Sequence, residues 1–282
     1  MFRGIGLIPN WQKENAAQVV ETIKAFFAAY DIPVYIALQE EPDANLPPSI
    51  TGYQAWGKQV DMAIVLGGDG TILRAARILN ATEIPLVGVN MGKKGFLAEI
   101  EPQNLIYYLE KLVAGKYQVE KRMMLHSHLI RKNEILNSFV ALNDVVISRG
   151  PFSRIIRLNT YINNDFLQSY PGDGVIIATP TGSTGYSLSA GGPVVKPTLE
   201  TLIINPICPH LLHNRAVVVG RDELISVTVQ TNNADVFLTI DGQDGLPLQY
   251  DDTVEISRAA HYTKVATFSG DEFYRLLHKK IL

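Results

Sequence analysis

Two apolar runs, residues 61–68 (DMAIVLGG) and 85–90 (PLVGVN), constrain the fold of this chain more than any other feature. A strand with one wet face alternates apolar and polar residues. A run that is apolar at almost every position is buried on both faces, as in a parallel sheet covered by helices. Helical spacing separates such runs here. Residues 14–30 place Val19, Val20, Ile23, Phe26 and Phe27 on one face. Residues 71–79 do the same with Ile72, Leu73, Ala76 and Leu79, and residues 103–115 form a helix that closes on Gly115. Further strands are expected at 4–10 and 32–38, with a polar, proline-rich loop at 40–52. Strand–helix alternation of this kind predicts a doubly wound parallel sheet.

Near residue 116 the pattern changes. From there to about residue 268 the apolar runs are short and alternating, with turn residues between them, and the clusters Asn163–Asn164–Asp165 and Thr231–Asn232–Asn233 suit hairpin tips. A β-sandwich is expected. Residues 270–282 return to helical spacing and are expected to pack back on the first domain. The fold class predicted is therefore α/β plus all-β: a Rossmann-like α/β domain over 1–116, joined by 269–282, and a β-sandwich domain over 117–268.

Composition excludes several classes. The chain has 282 residues, 46% of them hydrophobic and 19% charged, with a net charge of −3, so it lacks the basic footprint of a nucleic-acid binder. No apolar run approaches the roughly 20 residues a membrane span needs. The first residues lack a signal-peptide core, and the one cysteine, Cys208, rules out an intrachain disulfide. A cytoplasmic protein is expected.

The first motif with chemistry is GGDGT, residues 67–71. Gly67, Gly68 and Gly70 allow tight backbone and close approach of a ligand. The helix that follows, from about Thr71, points free N–H groups and its dipole at the turn, which suits phosphate. A carboxylate is ill placed to bind phosphate but well placed to bind a hydroxyl and take its proton, so Asp69 fits phosphoryl transfer to an alcohol. The alternative is that Asp69 only caps the helix.

The second motif is GDGVIIATPTGSTGYSLSAGGPVV, residues 172–195. Six glycines lie between 172 and 192, with hydroxyls at Thr179, Thr181, Ser183, Thr184, Ser187 and Ser189. A short helix over about 184–190 would begin at a loop able to cradle a phosphate or a flat base, with Tyr186 as an aromatic wall. A long sandwich loop without ligand is the other reading. Asn143 and Asp144, at a strand start, can bind ribose hydroxyls or simply form a turn. The segment 239–245 (TIDGQDG) repeats the Asp–Gly theme, which hairpin chemistry alone also explains. Lys93 and Lys94 are either solvated or bind a phosphate donor. His126 with His128, and Cys208 with His210 and His213, lack zinc spacing, so no metal site is expected among them.

Together these segments resemble the bacterial NAD kinase family. GGDGT, LND (142–144), the 172–195 stretch, NPICPHLLHNRAVVV (205–219) and IDGQ (240–243) occur in the order seen there. GGDGT alone is shared with phosphofructokinases and lipid kinases; the 172–195 stretch is far more specific. The resemblance implies phosphorylation of the 2′-hydroxyl of the adenosine ribose of NAD by ATP with Mg²⁺ or another divalent cation, in a homodimer or homotetramer. Asp69 would be the catalytic aspartate, orienting the hydroxyl and accepting its proton late. Asn143 and Asp144 would hold the dinucleotide. Asp173, Thr184, Gly185 and Tyr186 would line its site, partly across a subunit interface. Asn90, Lys94, Thr181, Ser183, Ser189 and Gln243 complete the implied binding set with Gly67, Gly68, Gly70 and Thr71. Three positions depart from the family pattern: Gly185 where alanine is common, Asp144 as the shorter permitted acid, and Lys94 where leucine is frequent. The competing readings are a lipid or sugar kinase built on GGDGT and a dinucleotide-binding sensor without catalysis.

Overall fold

The structure, a computed structural model, describes residues 2–37, 56, 59–92, 95–211, 214–232, 234–268 and 272–280. The expected loop at 40–52, Lys93, Lys94, His213 and Asn233 lie outside the described residues. The chain divides into two compact units, Met1–Lys121 with Thr263–Leu282, and Arg122–Tyr262.

The first unit holds β1 (Ile5–Pro9), α1 (Ala16–Ala28), β2 (Val34–Ile36), β3 (Met62–Gly67), α2 (Asp69–Leu79), β4 (Leu86–Asn90) and α3 (Leu105–Val113). Its strands run parallel in the order β2-β1-β3-β4. Burial on both faces follows from the pleat. Ile64 and Leu66 of β3, with Val87 and Val89 of β4, share a core with Val20, Ile23 and Phe27 of α1 and Leu105, Leu109 and Leu112 of α3. On the other face Gly88 leaves room for Ile72 of α2, whose Cδ1 would lie 2.5 Å from a Cβ there. The sheet is thus sandwiched between helices, as the two apolar runs require.

Two long strands run through the division between the units, β5 (Gln118–Arg131) and β16 (Thr253–Thr267). Short strands alone were expected in this half of the chain. The tail of β16 pairs with β4, Val265 lying opposite Leu86, and α5 (Glu272–Lys280) belongs to the first unit.

The second unit is a sandwich of two mostly antiparallel layers. One contains β6 (Glu134–Ala141), β8 (Ile156–Ile162), β9 (Asp165–Gly172) and β13 (Ile225–Val229), with the β5 and β16 portions that fall in this unit. The β8–β9 hairpin turns at Asn163 and Asn164, both left-handed (φ 49° and 72°), the conformation a two-residue turn demands and asparagine tolerates. The other layer runs β12 (Val217–Gly220), β11 (Thr201–Ile207), β10 (Gly174–Ala178), β7 (Asp144–Arg149), β14 (Val236–Ile240), β15 (Asp244–Leu248).

Side chains of this second layer feed two cores. Val145 and Ile147, Val175 and Ile177, Leu202 and Ile204 point into the sandwich. Their neighbours Val146, Ile176, Ala178, Ile203 and Ile207 point outward, where Ala190, Val195 and Ala216 cover them. The glycine-rich segment, with its 3₁₀ turn Gly182–Thr184 and the single helical turn α4 (Tyr186–Ser189), therefore lies on an apolar floor. Replacing the fully buried Ile176 by alanine removes part of that floor. It is expected to cost about 2–4 kcal/mol in urea unfolding, and to raise protease sensitivity within 182–195 before any other part of the unit.

Candidate functional site

In the first unit, α2 begins two residues earlier than its spacing suggests, with Gly68 as N-cap and Asp69 as its first residue. Neither Gly67 nor Gly68 needs a left-handed backbone; Gly68 is extended (φ −100°, ψ −172°) with open space around its Cα. Gly67 is constrained by contact, since a Cβ there would sit 2.2 Å from Thr71 Oγ1. The requirement is close approach rather than unusual dihedrals.

Asp69 is not the N-cap of α2 but the residue after it. Its carboxylate accepts the backbone N–H groups of Phe96 (2.8 Å) and Leu97 (3.1 Å). Gly95 permits this: a Cβ at that position would fall 1.9 Å from Asp69 Oδ1. The carboxylate is thus half-buried, fixed from two sides, and set in the first turn of a helix, where the dipole favours negative charge. Two lone-pair positions remain for a ligand hydroxyl. Asn90 closes the turn that follows β4, its amide bonding both N–H and C=O of Gly92 (3.2 and 3.0 Å). Thr71 Oγ1 lies 3.5 Å from Asn10 Nδ2.

In the second unit, most hydroxyls of the glycine-rich segment serve the segment itself. Thr179 donates to Leu142 O (2.6 Å) and accepts from Gly182 N–H (3.0 Å). Ser183 donates to Pro180 O (2.7 Å) and accepts from Val195 N–H (3.0 Å). Thr184 donates to Thr181 O (3.2 Å), and Ser187 accepts from Asn205. The N–H groups of Gly182, Ser183, Gly185 and Leu188 are likewise bonded within the segment. One turn of helix therefore offers less to a phosphate than the expected 184–190 helix would. Thr181 Oγ1 is different: it is buried and has no hydrogen-bond partner among the described residues.

Asn143 and Asp144 lie beside this segment. A Cβ on Gly182 would come 2.1 Å from Asn143 O, so the two backbones touch. Among the described residues Asn143 Oδ1 is buried without a partner, a second open polar atom next to the hydroxyl-rich loop of the second motif. A Cβ on Gly185 would lie 3.3 Å from Asn143 Nδ2 and 3.8 Å from Asp144 Oδ2. Asp144 is only 4% exposed. Burial, and then repulsion from Asp241, push its pKa up to about 7. Tyr186 is half exposed; burial raises its phenol, and the nearby Cys208, Asp173 and Asp144 add to the effect. Asp173 is engaged by Arg149, whose Nε donates at 2.6 Å. Ser189 and Gln243 are exposed.

The residue that sequence reasoning missed is Asp241. It is buried, and its carboxylate accepts the N–H groups of Leu142 (3.0 Å), Asn143 (2.8 Å) and Asp144 (3.1 Å). The only signal was the IDGQ segment, which hairpin chemistry explained equally well. His126 and His128 stack edge-on at 4.3 Å, and His128 Nδ1 meets Ser138 Oγ at 2.8 Å. Among the described residues no three His, Cys, Asp or Glu side chains gather as metal ligands.

Comparison with known proteins converges on one family. The ATP-NAD kinase N-terminal domain matches residues 51–117 and the ATP-NAD kinase C-terminal domain matches residues 142–268. An NAD kinase of Natranaerobius thermophilus is 44% identical over 280 residues, covering 99% of this chain and 98% of that protein. An NAD kinase of Thermoanaerobacter sp. (strain X514) is 40% identical over 287 residues, covering 99% of each. Among solved structures, an NAD kinase from Archaeoglobus fulgidus in complex with ATP superposes with a TM-score of 0.76 at 26% identity, over 98% of this chain and 97% of that one. Yeast NADH kinase complexed with NADH shares the fold, with a TM-score of 0.81 at 24% identity over 99% and 87%.

The raised pKa of Asp144 has a stability consequence. The folded chain keeps this proton up to about pH 7, whereas an unfolded aspartate loses it near 3.8. Between those values the folded state binds more protons, so this group's contribution makes the ligand-free protein less stable as pH rises through the window. Asp144→Asn is expected to flatten that slope and to stabilise the protein at pH 8 by on the order of a few kcal/mol. Urea unfolding of both proteins at pH 5 and pH 8 measures it.

Proposed function

The chain belongs to the ATP-NAD kinase family, and from that premise we propose that it transfers the terminal phosphoryl group of Mg·ATP to the 2′-hydroxyl of the adenosine ribose of NAD, giving ADP and NADP. The observation that carries the catalytic part is the setting of Asp69. Its carboxylate is immobilised by two backbone N–H groups at the carboxyl end of a buried parallel strand, where open α/β sheets bind ligands.

In this reading Asp69 accepts a hydrogen bond from the ribose hydroxyl and turns an oxygen lone pair toward the phosphorus. A carboxylate is too weak a base to remove that proton beforehand. It takes the proton as the new P–O bond forms and the bond to the ADP oxygen breaks. Gly67, Gly68, Gly70 and Thr71 keep the helix start close and unobstructed. A divalent cation bound with the triphosphate would neutralise charge on the transferred group. Asn90 and Lys94 complete the binding set that the sequence suggests.

Asn143 and Asp144 hold the dinucleotide. Asn143 Oδ1 and Thr181 Oγ1, both buried without partners among the described residues, are satisfied by its hydroxyls or amide. Up to about pH 7 Asp144 carries a proton and can both donate and accept. Tyr186 supplies a flat, half-exposed wall. Asp173, Gly185 and Ser189 line the same site, with Ser183 and Thr184 shaping the loop and Gln243 at its rim. We further read the protein as a cytoplasmic homodimer or homotetramer. Among the described residues no helix is long and apolar enough to cross a membrane.

The test is formation of NADP from NAD and Mg·ATP, followed with an NADP-specific dehydrogenase. Asp69→Asn is expected to lower kcat by roughly 10²–10⁴-fold while NAD binding stays within a few-fold. Tight NAD binding by the wild type without NADP would favour the sensor, and turnover of lipid or sugar acceptors alone would favour the other kinases. Gly95→Ala, which touches no substrate in this reading, is expected to lower kcat about tenfold or more by displacing the Asp69 carboxylate. An unchanged kcat in that variant would show that the Phe96–Leu97 anchor is dispensable.

A further inference from the structure

Successive N–H groups of an extended strand point in opposite directions. Three of them can meet one anion only where the chain curls into a concave nest. Residues Leu142, Asn143 and Asp144 form such a curl at the entrance to β7, and their N–H groups converge on the carboxylate of Asp241 at 3.0, 2.8 and 3.1 Å. The contact is reciprocal, because the Asp241 N–H donates to Asp144 O (3.0 Å). Asp241 belongs to a different hairpin, almost a hundred residues further on, and adopts a left-handed backbone (φ 51°) to reach this position. It is 6% exposed, so water does not compete for the bonds.

We propose that Asp241 is a positioning residue for the dinucleotide: by filling this nest with its own carboxylate it fixes the directions in which Asn143 and Asp144 present their side chains. The proposal rests on the reading of Asn143 and Asp144 as the dinucleotide-holding pair. Without the anion the three N–H groups would be left unsatisfied and the curl would relax, turning the unpartnered Asn143 Oδ1 out of line. Asp241 acts through these two residues and forms no bond with the reacting atoms. Its loss therefore weakens one substrate and spares the other.

Two variants separate positioning from folding. Asp241→Ala empties the nest. Asp241→Asn keeps one carbonyl oxygen, enough for the Asn143 and Asp144 N–H groups that share Oδ1, but sets an amide against Leu142 N–H. Calorimetry with NAD, steady-state kinetics with each substrate varied, and amide hydrogen exchange of the ligand-free proteins provide the readouts. Asp241→Ala is expected to raise Kd and KM for NAD about 30-fold and to leave KM for ATP unchanged and kcat within about threefold. Asp241→Asn should fall between it and the wild type. The Leu142, Asn143 and Asp144 amides should exchange selectively faster in the alanine variant. Unchanged NAD affinity in Asp241→Ala overturns the proposal. So does a loss that falls equally on NAD, ATP and melting temperature without selective exchange at 142–144. A wild type that binds no NAD would defeat the functional reading instead, while the exchange data would still judge the nest.

Discussion

Everything distinctive about the second unit follows from one constraint: the β11–β10–β7 layer is apolar on both faces. Alternate residues of β7, β10 and β11 supply the sandwich core, and the residues between them supply a second, smaller core outside it. A two-sided strand must be covered twice. Here the outer cover is an irregular segment rather than a helix layer, and irregular backbone laid on a sheet carries polar groups that must be satisfied locally. That need explains why Thr179, Ser183 and Thr184 bond to carbonyls of the same stretch or of its neighbour Leu142. It also explains the glycines, two of which lie where a Cβ would collide: Gly182 against Asn143 O at 2.1 Å, and Gly192 against Ser187 Oγ at 2.4 Å. The segment fits closely because the floor under it is apolar, and the close fit sets the Asn143–Asp144 corner in place.

Three aspartates show how environment divides one side chain into different roles. Asp69 is half-buried and takes two backbone N–H bonds at a helix start. Asp241 is buried and takes three. Asp144 is buried as deeply, but its carboxyl has a like charge for a neighbour, and its proton is retained up to about pH 7. Backbone N–H groups make a carboxylate tolerable out of water; their absence makes it hold its proton. In the proposed reaction the two kinds divide the work, one aspartate facing the hydroxyl that reacts and one binding as a donor.

Much of this was legible in the sequence, where a single physical signal dominated. The continuous runs at β3 and β4 could only be doubly buried strands, and Asn163–Asn164 could turn a hairpin because both tolerate the left-handed region. The candidate corner was visible as residue types at a strand start. Less was legible where two uses of one residue look alike. Serine and threonine in a glycine-rich loop can bind a ligand or the loop, and only coordinates show Ser183 bonded to Pro180 and Val195 while Thr181 is left open. The start of α2 was misplaced because Gly68–Asp69–Gly70 reads as a turn, whereas the glycine before Asp69 serves as N-cap. The long β5 and β16 escaped because their alternation is interrupted by polar residues where exposure changes along the strand.

Asp241 is the sharpest case, since its two uses are both real. Asp241 and Gly242 are left-handed in succession (φ 51° and 67°), and Gln243 N–H bonds back to Ile240 O, so the residue is a proper turn residue between β14 and β15. A turn needs nothing more of it, and an exposed asparagine would serve as well. Yet this turn is buried at its first residue, and burying a carboxylate is costly unless it is compensated. The compensation comes from three N–H groups that no strand partner can take, because the chain curls away from the ladder at 142–143. The nest and the hairpin each lack what the other supplies. Pairing of β14 with β7 brings them together, Ile240 lying opposite Val145. The register of that one strand pair therefore carries the information that a reading along the chain cannot reach: that this Asp–Gly turn supports the candidate corner at 142–144.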